Sequence, residues 1–292
     1  MNPDKPKPVA VLMCVYNNDR ADWFDAALQS IFDQSYGFAN IRVYLAVDGP
    51  VSHHIEDVIA KHTESLHLIV RNDSNSGLAA SLNKLIAALG DEEYIFRMDS
   101  DDLSTVERIQ TQVAYLDLNP QIMILGTAIY EIDSAGNQIM TRTYPRDTAA
   151  ISGYIKKASP FAHPTVCFRK AVFSRIQKYD LVDYNEDLCL WFKALSQNIE
   201  MANLDTPLYS LRVTDAFFKR RGLKKALSEF RLYVFCNLRL HGLGLYLLHP
   251  CLRLLLRLLP APATRYIYTK GVRRHLNVVG ANDQPHPHKQ IK

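Results

Sequence analysis

No stretch of roughly 18 consecutive apolar residues occurs in this chain, so a membrane-crossing helix is not expected. The first eight residues, Met1 to Pro8, are polar and proline-rich and lack the apolar core of an export signal, so nothing is expected to direct the protein through a membrane. Cysteine is sparse. The five residues, at 14, 167, 189, 236 and 251, include no Cys-x-x-Cys pair, which argues against a zinc ribbon or a disulfide framework and reads as reduced, buried thiols. A charge excess of one sign is also missing: 34 Lys+Arg stand against 30 Asp+Glu, a balance that argues for neither a nucleic-acid partner nor a polyanionic one. There is no internal repeat and no low-complexity tract apart from a leucine-rich tail.

What is present supports a substantial core, since 48% of 292 residues are hydrophobic. Val9 to Val15 reads as a buried strand, followed by the polar loop Tyr16-Asn17-Asn18-Asp19 and a helix from about Trp23 to Phe32. Strands are expected again at Ile41 to Val47, Leu66 to Arg71 and Tyr94 to Met98, with helices at about His54 to His62 and Gly77 to Leu89. This alternation predicts a parallel sheet with helices on both faces and a ligand edge at the carboxyl ends of the strands. Between 120 and 180, shorter apolar pieces (Ile122 to Leu125, Thr165 to Phe168) around the turn Ala135-Gly136-Asn137 predict mixed or antiparallel additions, and Asp187 to Ser196 reads as a helix.

Charge is unevenly placed, with acidic residues in the middle of the chain and a basic, leucine-rich segment from Lys219 onward. The run Asp99-Ser100-Asp101-Asp102 closes the apolar segment Tyr-Ile-Phe-Arg-Met, where a parallel strand would deliver it to the ligand edge. Clustered carboxylates repel one another unless a cation holds them, and Mg²⁺ or Mn²⁺ commonly joins one or two carboxylates to substrate phosphates. A solvated turn or helix cap is the competing reading. Glu186 and Asp187 form a second candidate, a carboxylate able to take a proton from an attacking hydroxyl, against simple helix capping. Asp48, before Gly49-Pro50, fits either a turn or a contact with a base or ribose, and Asn75-Ser76-Gly77 fits either a plain loop or a close approach of backbone to a nucleotide.

Taken in order, strand-Tyr16-Asn17, Asp48-Gly49-Pro50, Asn75-Ser76-Gly77-Leu78-Ala79, Arg97-Met98-Asp99-Ser100-Asp101-Asp102, His163-Pro164-Thr165 and Glu186-Asp187 resemble glycosyltransferase family 2, from about Val9 to about Gly222. Arg-Met-Asp-Ser-Asp-Asp with Glu-Asp-x-x-Leu-Trp looks like its bacterial branch that builds lipopolysaccharide, capsule and exopolysaccharide. The resemblance implies an α/β GT-A (Rossmann-like) fold with a mostly parallel sheet flanked by helices and a C-terminal amphipathic helical tail. It implies a metal-dependent (Mn²⁺ or Mg²⁺), inverting transfer from a nucleotide-sugar, a UDP-hexose or UDP-N-acetylhexosamine. The acceptor would be a saccharide linked to polyprenyl diphosphate or another lipid; a soluble acceptor is the alternative. Tyr16, Asp48, Asn75, Gly77, Arg97 and Asp99 would line the donor pocket, Asp101 with Asp99 would hold the metal, and Asp187 with Glu186 beside it would be the base. His163, Trp191, Arg212 and Arg220 would meet acceptor or diphosphate. Arg212-Val213-Thr214 departs from the Arg-x-His or Gln-x-x-Arg-Trp elements of other members, so no metal-binding histidine is expected there.

The implied organisation is a disordered N-terminus (1–8), a catalytic domain (9–222, nucleotide-sugar half 9–102 and acceptor half 103–222), a basic helical membrane-associating region (223–275) and a disordered tail (276–292). Arg253 and Arg257, four apart, would share one helix face and leave Leu252, Leu255, Leu256 and Leu259 on the others, as in a helix lying in a membrane interface; packing on the catalytic body is the alternative. The expected location is cytoplasmic, peripheral on the inner face of the bacterial membrane. Two rival readings are weaker. A nucleotidyltransferase would carry a glycine-rich basic loop that Cys14 to Arg20 lacks, and an inactive assembly scaffold would have lost the carboxylates, whereas Asp99, Asp101 and Asp187 are all present.

Overall fold

A computed structural model describes residues 6–182, 185–214 and 223–258. Four strands, β1 (Val9–Val15), β2 (Ile41–Val47), β3 (Leu66–Arg71) and β4 (Tyr94–Asp99), run parallel in the order β3-β2-β1-β4. They form because short, nearly all-apolar runs can be buried on both faces only inside a helix-covered parallel sheet. Helices α1 (Ala21–Phe32), α2 (His53–His62) and α3 (Leu78–Ala87) supply the crossovers. Since β2 and β3 lie to one side of β1 and β4 to the other, the strand order reverses between β1 and β4, which opens a crevice at their carboxyl ends. In register, Cys14 stands beside Asp99 at that point.

The sheet continues past β4 into the second half of the chain as expected, with antiparallel and mixed pairing. β8 (Cys167–Arg169) runs antiparallel to β4 and to β6 (Ile124–Ile132), and the long β9 (Met201–Arg212) runs parallel to β6. β7 (Gln138–Arg142) forms a hairpin with β6 through the predicted turn, where Gly136 takes φ +90°. β5 (Leu103–Ser104) pairs with β9 and so ties the segment after the aspartate run to the far strand.

Two apolar layers sandwich the sheet. Val9, Val11 and Met13 of β1 face α1, α2 and α4 (Arg108–Leu118), and Ala10 and Leu12 face the layer that includes α3, α5 (Thr148–Tyr154) and α7 (Glu186–Ser196). The short helix α6 (Phe173–Ile176) lies in the same second layer. The tail is helical through α8 (Leu223–His241) and α9 (Leu248–Leu258), and among the described residues no helix is long and apolar enough to cross a membrane. All five cysteines are free, but only Cys167 is fully buried and Cys251 is exposed, a correction to the expectation of uniformly buried thiols.

Candidate active site

Four strand ends deliver polar side chains to the crevice. At the end of β2, Asp48 is buried, and its carboxylate holds the loop before α3: Oδ1 accepts from Asn72 Nδ2 (2.7 Å) and the Ser76 N–H (2.8 Å), and Oδ2 accepts from the Gly77 N–H (2.9 Å). Asn75 reaches back to the Asp48 carbonyl at 3.4 Å. Gly49 and Gly77 make this approach possible, at φ +89° and +85°, and a Cβ on Gly49 would lie 2.7 Å from the Asn75 nitrogen. Thus Asp48, Asn75 and Gly77 come together as expected, and the carboxylate is engaged by the protein's own loop.

The aspartate run sits on β4 and the turn after it. Arg97 is buried and forms an ion pair with Asp99. Burial alone would lower its pKa, but the Asp99 charge beside it outweighs that and keeps the guanidinium charged. The Asp99 N–H donates to the Tyr209 hydroxyl (3.1 Å). Carboxylate oxygens of Asp99, Asp101 and Asp102 all lie within 4.8 Å of one another. Burial, reinforced by the Asp101 and Asp99 charges, pushes the Asp102 carboxyl well above the usual range, and its Oδ1 accepts the Arg212 N–H at 2.7 Å. The two partly exposed carboxylates, Asp99 and Asp101, then form an oxygen donor pair suited to Mg²⁺ or Mn²⁺, so the residues fit the implied ion. Cys14 is a bystander here, because burial raises its thiol to about 12.

Two braces hold this turn, Asp19 from the first loop, for which the sequence predicted no role, and Arg212 from the end of β9, for which it predicted a different one. Asp19 Oδ2 accepts both the Tyr16 N–H (3.1 Å) and the Ser100 hydroxyl (2.7 Å), so one oxygen links loops 81 residues apart. Burial, with the Asp101 and Asp99 charges, raises its carboxyl to about 7. Arg212 donates from Nε to the Asp101 carbonyl (2.9 Å) and from Nη1 to the carbonyls of Asp133 (3.0 Å) and Ser134 (3.3 Å). Its guanidinium also lies 4.6 Å from the Trp23 ring, which Arg20 contacts at 4.3 Å. Arg212 therefore braces the aspartate turn. Its Nε and Nη1 are engaged by backbone carbonyls.

Behind the turn, the wholly buried Arg108 donates to the carbonyls of Arg97 and Pro164, both at 2.9 Å. Backbone oxygens near the ligand edge, where the ladder stops, are satisfied by this side chain, and burial lowers its pKa to about 10.

Glu186 and Asp187 open α7, where the positive end of the helix favours carboxylates. The residue before them, Asn185, takes a left-handed conformation (φ 65°) that turns the chain sharply into the helix. Burial raises the Tyr179 hydroxyl well above its ordinary range, with the Arg97 charge opposing that and the Glu186 and Asp187 charges adding to it.

His163 lies on a 3₁₀ turn (His163–Thr165) with Nε2 2.8 Å from the Tyr179 hydroxyl. Burial and the Arg97 charge hold its imidazole well below the ordinary range, so it is a neutral part of the wall. Trp191 corrects a second expectation. It is 0% exposed, packed against Phe161 (centroids 4.7 Å) and Phe168, because its large apolar area fills the layer beneath α7 instead of facing an acceptor. Arg220 lies outside the described residues.

Comparison with known proteins agrees with this fold. Residues 10–176 match the family described as Glycosyl transferase family 2. The chain is 30% identical over 281 residues to the UDP-Gal:alpha-D-GlcNAc-diphosphoundecaprenol beta-1,3-galactosyltransferase of Escherichia coli, covering 94% of this chain and 100% of that one. It is also 30% identical over 264 residues to the amylovoran biosynthesis glycosyltransferase AmsE of Erwinia amylovora, covering 89% and 98%. In fold it matches S. aureus TarS 1-349, solved in complex with UDP-GlcNAc, at TM-score 0.63 and 17% identity over 90% of this chain and 76% of that chain.

Proposed function

The chain belongs to glycosyltransferase family 2, and from that premise we propose that it moves a hexose or N-acetylhexosamine from a UDP-sugar to a lipid-linked saccharide, with inversion at the anomeric carbon. The observation that carries this reading is the Asp99, Asp101 and Asp102 carboxylate cluster at the carboxyl end of β4, beside the β1/β4 crevice, with carboxylate oxygens within 4.8 Å of one another. An acceptor on a lipid diphosphate would place the reaction at the inner face of the bacterial cytoplasmic membrane, in surface polysaccharide assembly. Support comes from the E. coli relative, whose named acceptor is diphosphoundecaprenol-linked.

In this reading the loop held by Asp48, with Tyr16, Asn75 and Gly77, receives the nucleoside, and Arg97 holds Asp99 in place. Asp99 and Asp101 would bind Mn²⁺ or Mg²⁺, which when bound offsets the negative charge of the departing diphosphate. Asp187 accepts the proton of the acceptor hydroxyl, with Glu186 beside it. The acceptor oxygen then forms its bond to the anomeric carbon on the face opposite the donor oxygen, whose bond breaks, and nucleoside diphosphate leaves. From an α-linked donor the product is β-linked.

The experiment is a donor screen. Release of nucleoside diphosphate is measured across a panel of sugar nucleotides, with Mn²⁺ or with chelator, for the wild type, Asp101→Ala and Asp187→Asn. Slow metal-dependent hydrolysis of one UDP-sugar, abolished in Asp101→Ala, is the expected result. Equal hydrolysis in chelator would remove the metal from the scheme, and absence of turnover or binding for every donor would overturn the reading.

A further inference from the structure

On the α8–α9 hairpin, Arg253 is engaged by its neighbours while several leucines face outward. Arg253 pairs with the buried Glu229 (2.8 Å), donates to the Lys157 carbonyl (3.2 Å) and lies over Tyr233 (5.7 Å). Tyr233 packs edge-on against Phe192 of α7, and the buried Asn237 reaches the Lys156 carbonyl. Arg253 therefore ties α9 to α8 and to the segment after α5, which is the packing alternative for this residue. Outward stand Leu248, Leu252 and Leu255, each more than half exposed, and at the connecting turn Leu243 and Leu245 are 89% and 85% exposed.

Several exposed large apolar side chains along one turn and the helix after it are uncommon on a soluble monomer and mark a contact surface. The charge of the segment selects the partner. With Arg253 and Glu229 paired to each other, Lys224, Lys225, Arg231, Arg239 and Arg257 leave the sequence of this segment with a net positive charge. A second copy would bring like charges together, whereas an anionic bilayer offers both hydrocarbon for the leucines and negative headgroups for the cations. At 11 residues α9 is about 16 Å long, about half of the hydrocarbon thickness, so it can lie in the interface but cannot cross it.

We propose that the hairpin tip, Leu243 and Leu245 with Leu248, Leu252 and Leu255, seats the protein on an anionic lipid bilayer. This deepens the lipid-linked-acceptor reading of the site, because α8 packs on α7 and so ties the seated hairpin to the helix that begins at Glu186 and Asp187.

The test is flotation of the full chain with vesicles of phosphatidylglycerol and phosphatidylethanolamine, and with vesicles of phosphatidylcholine alone. The wild type is compared with the double variant Leu243→Ser/Leu245→Ser and with Leu118→Ser, which removes an equally exposed leucine at the end of α4. The wild type and Leu118→Ser are expected to float with the anionic vesicles and to bind the neutral ones far less. Losing two inserted leucines lowers partitioning by about 100-fold. Wild type that stays unbound, or a double variant that floats like wild type, overturns the proposal. Equal binding to neutral vesicles overturns its anionic part, and a wild-type dimer in sedimentation that the double variant dissolves assigns the face to a second copy. Flotation does not depend on turnover, so its failure leaves sugar transfer to a soluble acceptor intact, and failure of the donor screen leaves the seating intact.

Discussion

Asp48 separates two physical roles, direct contact with a nucleoside and tension on the loop that shapes the pocket, and Asp48→Asn tells them apart. The carboxylate accepts three hydrogen bonds, from Asn72, Ser76 and Gly77. With an amide, one oxygen becomes an N–H donor. If it faces Gly77, that bond is lost and a donor meets a donor. A hydrogen bond to a charged group contributes about 1.5–3 kcal/mol, and the other two weaken from charged to neutral acceptors, so the total cost is about 3 kcal/mol. For a domain of this size that lowers Tm by roughly 6–12 °C. Thermal unfolding without ligand measures the loss, and calorimetry with UDP and Mn²⁺ measures binding, expected to weaken in step because Ser76 and Gly77 are no longer held. An unchanged Tm with UDP binding abolished would refute the loop role and leave Asp48 as a direct ligand.

In the metal-free protein, Asp19 titrates near 7, well above its unfolded value of 3.8. A raised carboxyl binds its proton in the folded state, so stability falls as pH rises from about 4 to 7; three units correspond to about 4 kcal/mol, or about 2 after allowing for partial exposure. Asp19→Asn, whose amide oxygen can still accept from Tyr16 and Ser100, is expected to gain stability over wild type between pH 5 and 8 in chelator by about that amount; a gap that stays constant with pH would refute this. The glycines offer a paired comparison. Gly77→Ala meets open space at φ +85° and costs about 1–3 kcal/mol of backbone strain. Gly49→Ala adds the clash with Asn75 and costs about 1–3 kcal/mol more. Thermal melts should rank Gly49→Ala below Gly77→Ala, and the reverse order would show that the 74–77 loop yields.

The first half of the fold was legible because buried parallel strands are short apolar runs that stop where polar residues meet solvent. Ile41–Val47 and Leu66–Arg71 match expectation residue for residue, and β4 extends one residue to include Asp99. Several elements of the second half were not legible, α4 and β9 among them. α4 buries Arg108 and Gln112 on its core face, where Gln112 serves the carbonyls of Leu125 (2.9 Å) and Thr165 (3.0 Å), so its apolar period is broken by residues used as hydrogen-bond donors. β9 contains Asn203, Asp205 and Pro207 and shifts register against β6, so no clean alternation marks it as a strand. On α9, helical spacing places Arg253 but cannot say whether it meets water or Glu229.

The same long-range character explains why the bracing contacts of the site were not foreseen while its carboxylates were. An aspartate run and a carboxylate pair at a helix start are local in sequence, because each needs only a strand end or a helix end to aim it. Holding the aspartate turn is a long-range task. It uses Asp19 across 81 residues, Tyr209 across 110, Arg212 across 111, and Arg108 across 56 to reach Pro164. These side chains are mostly buried and carry charge or hydroxyls, a costly placement unless each polar atom finds a partner. Their partners lie on the β1 loop, β4, the aspartate turn, the β6–β7 turn and the 3₁₀ turn, so the crevice is rigid only once both halves have folded onto one sheet. A fragment ending at residue 102 would keep the motif and lose the groups that position it.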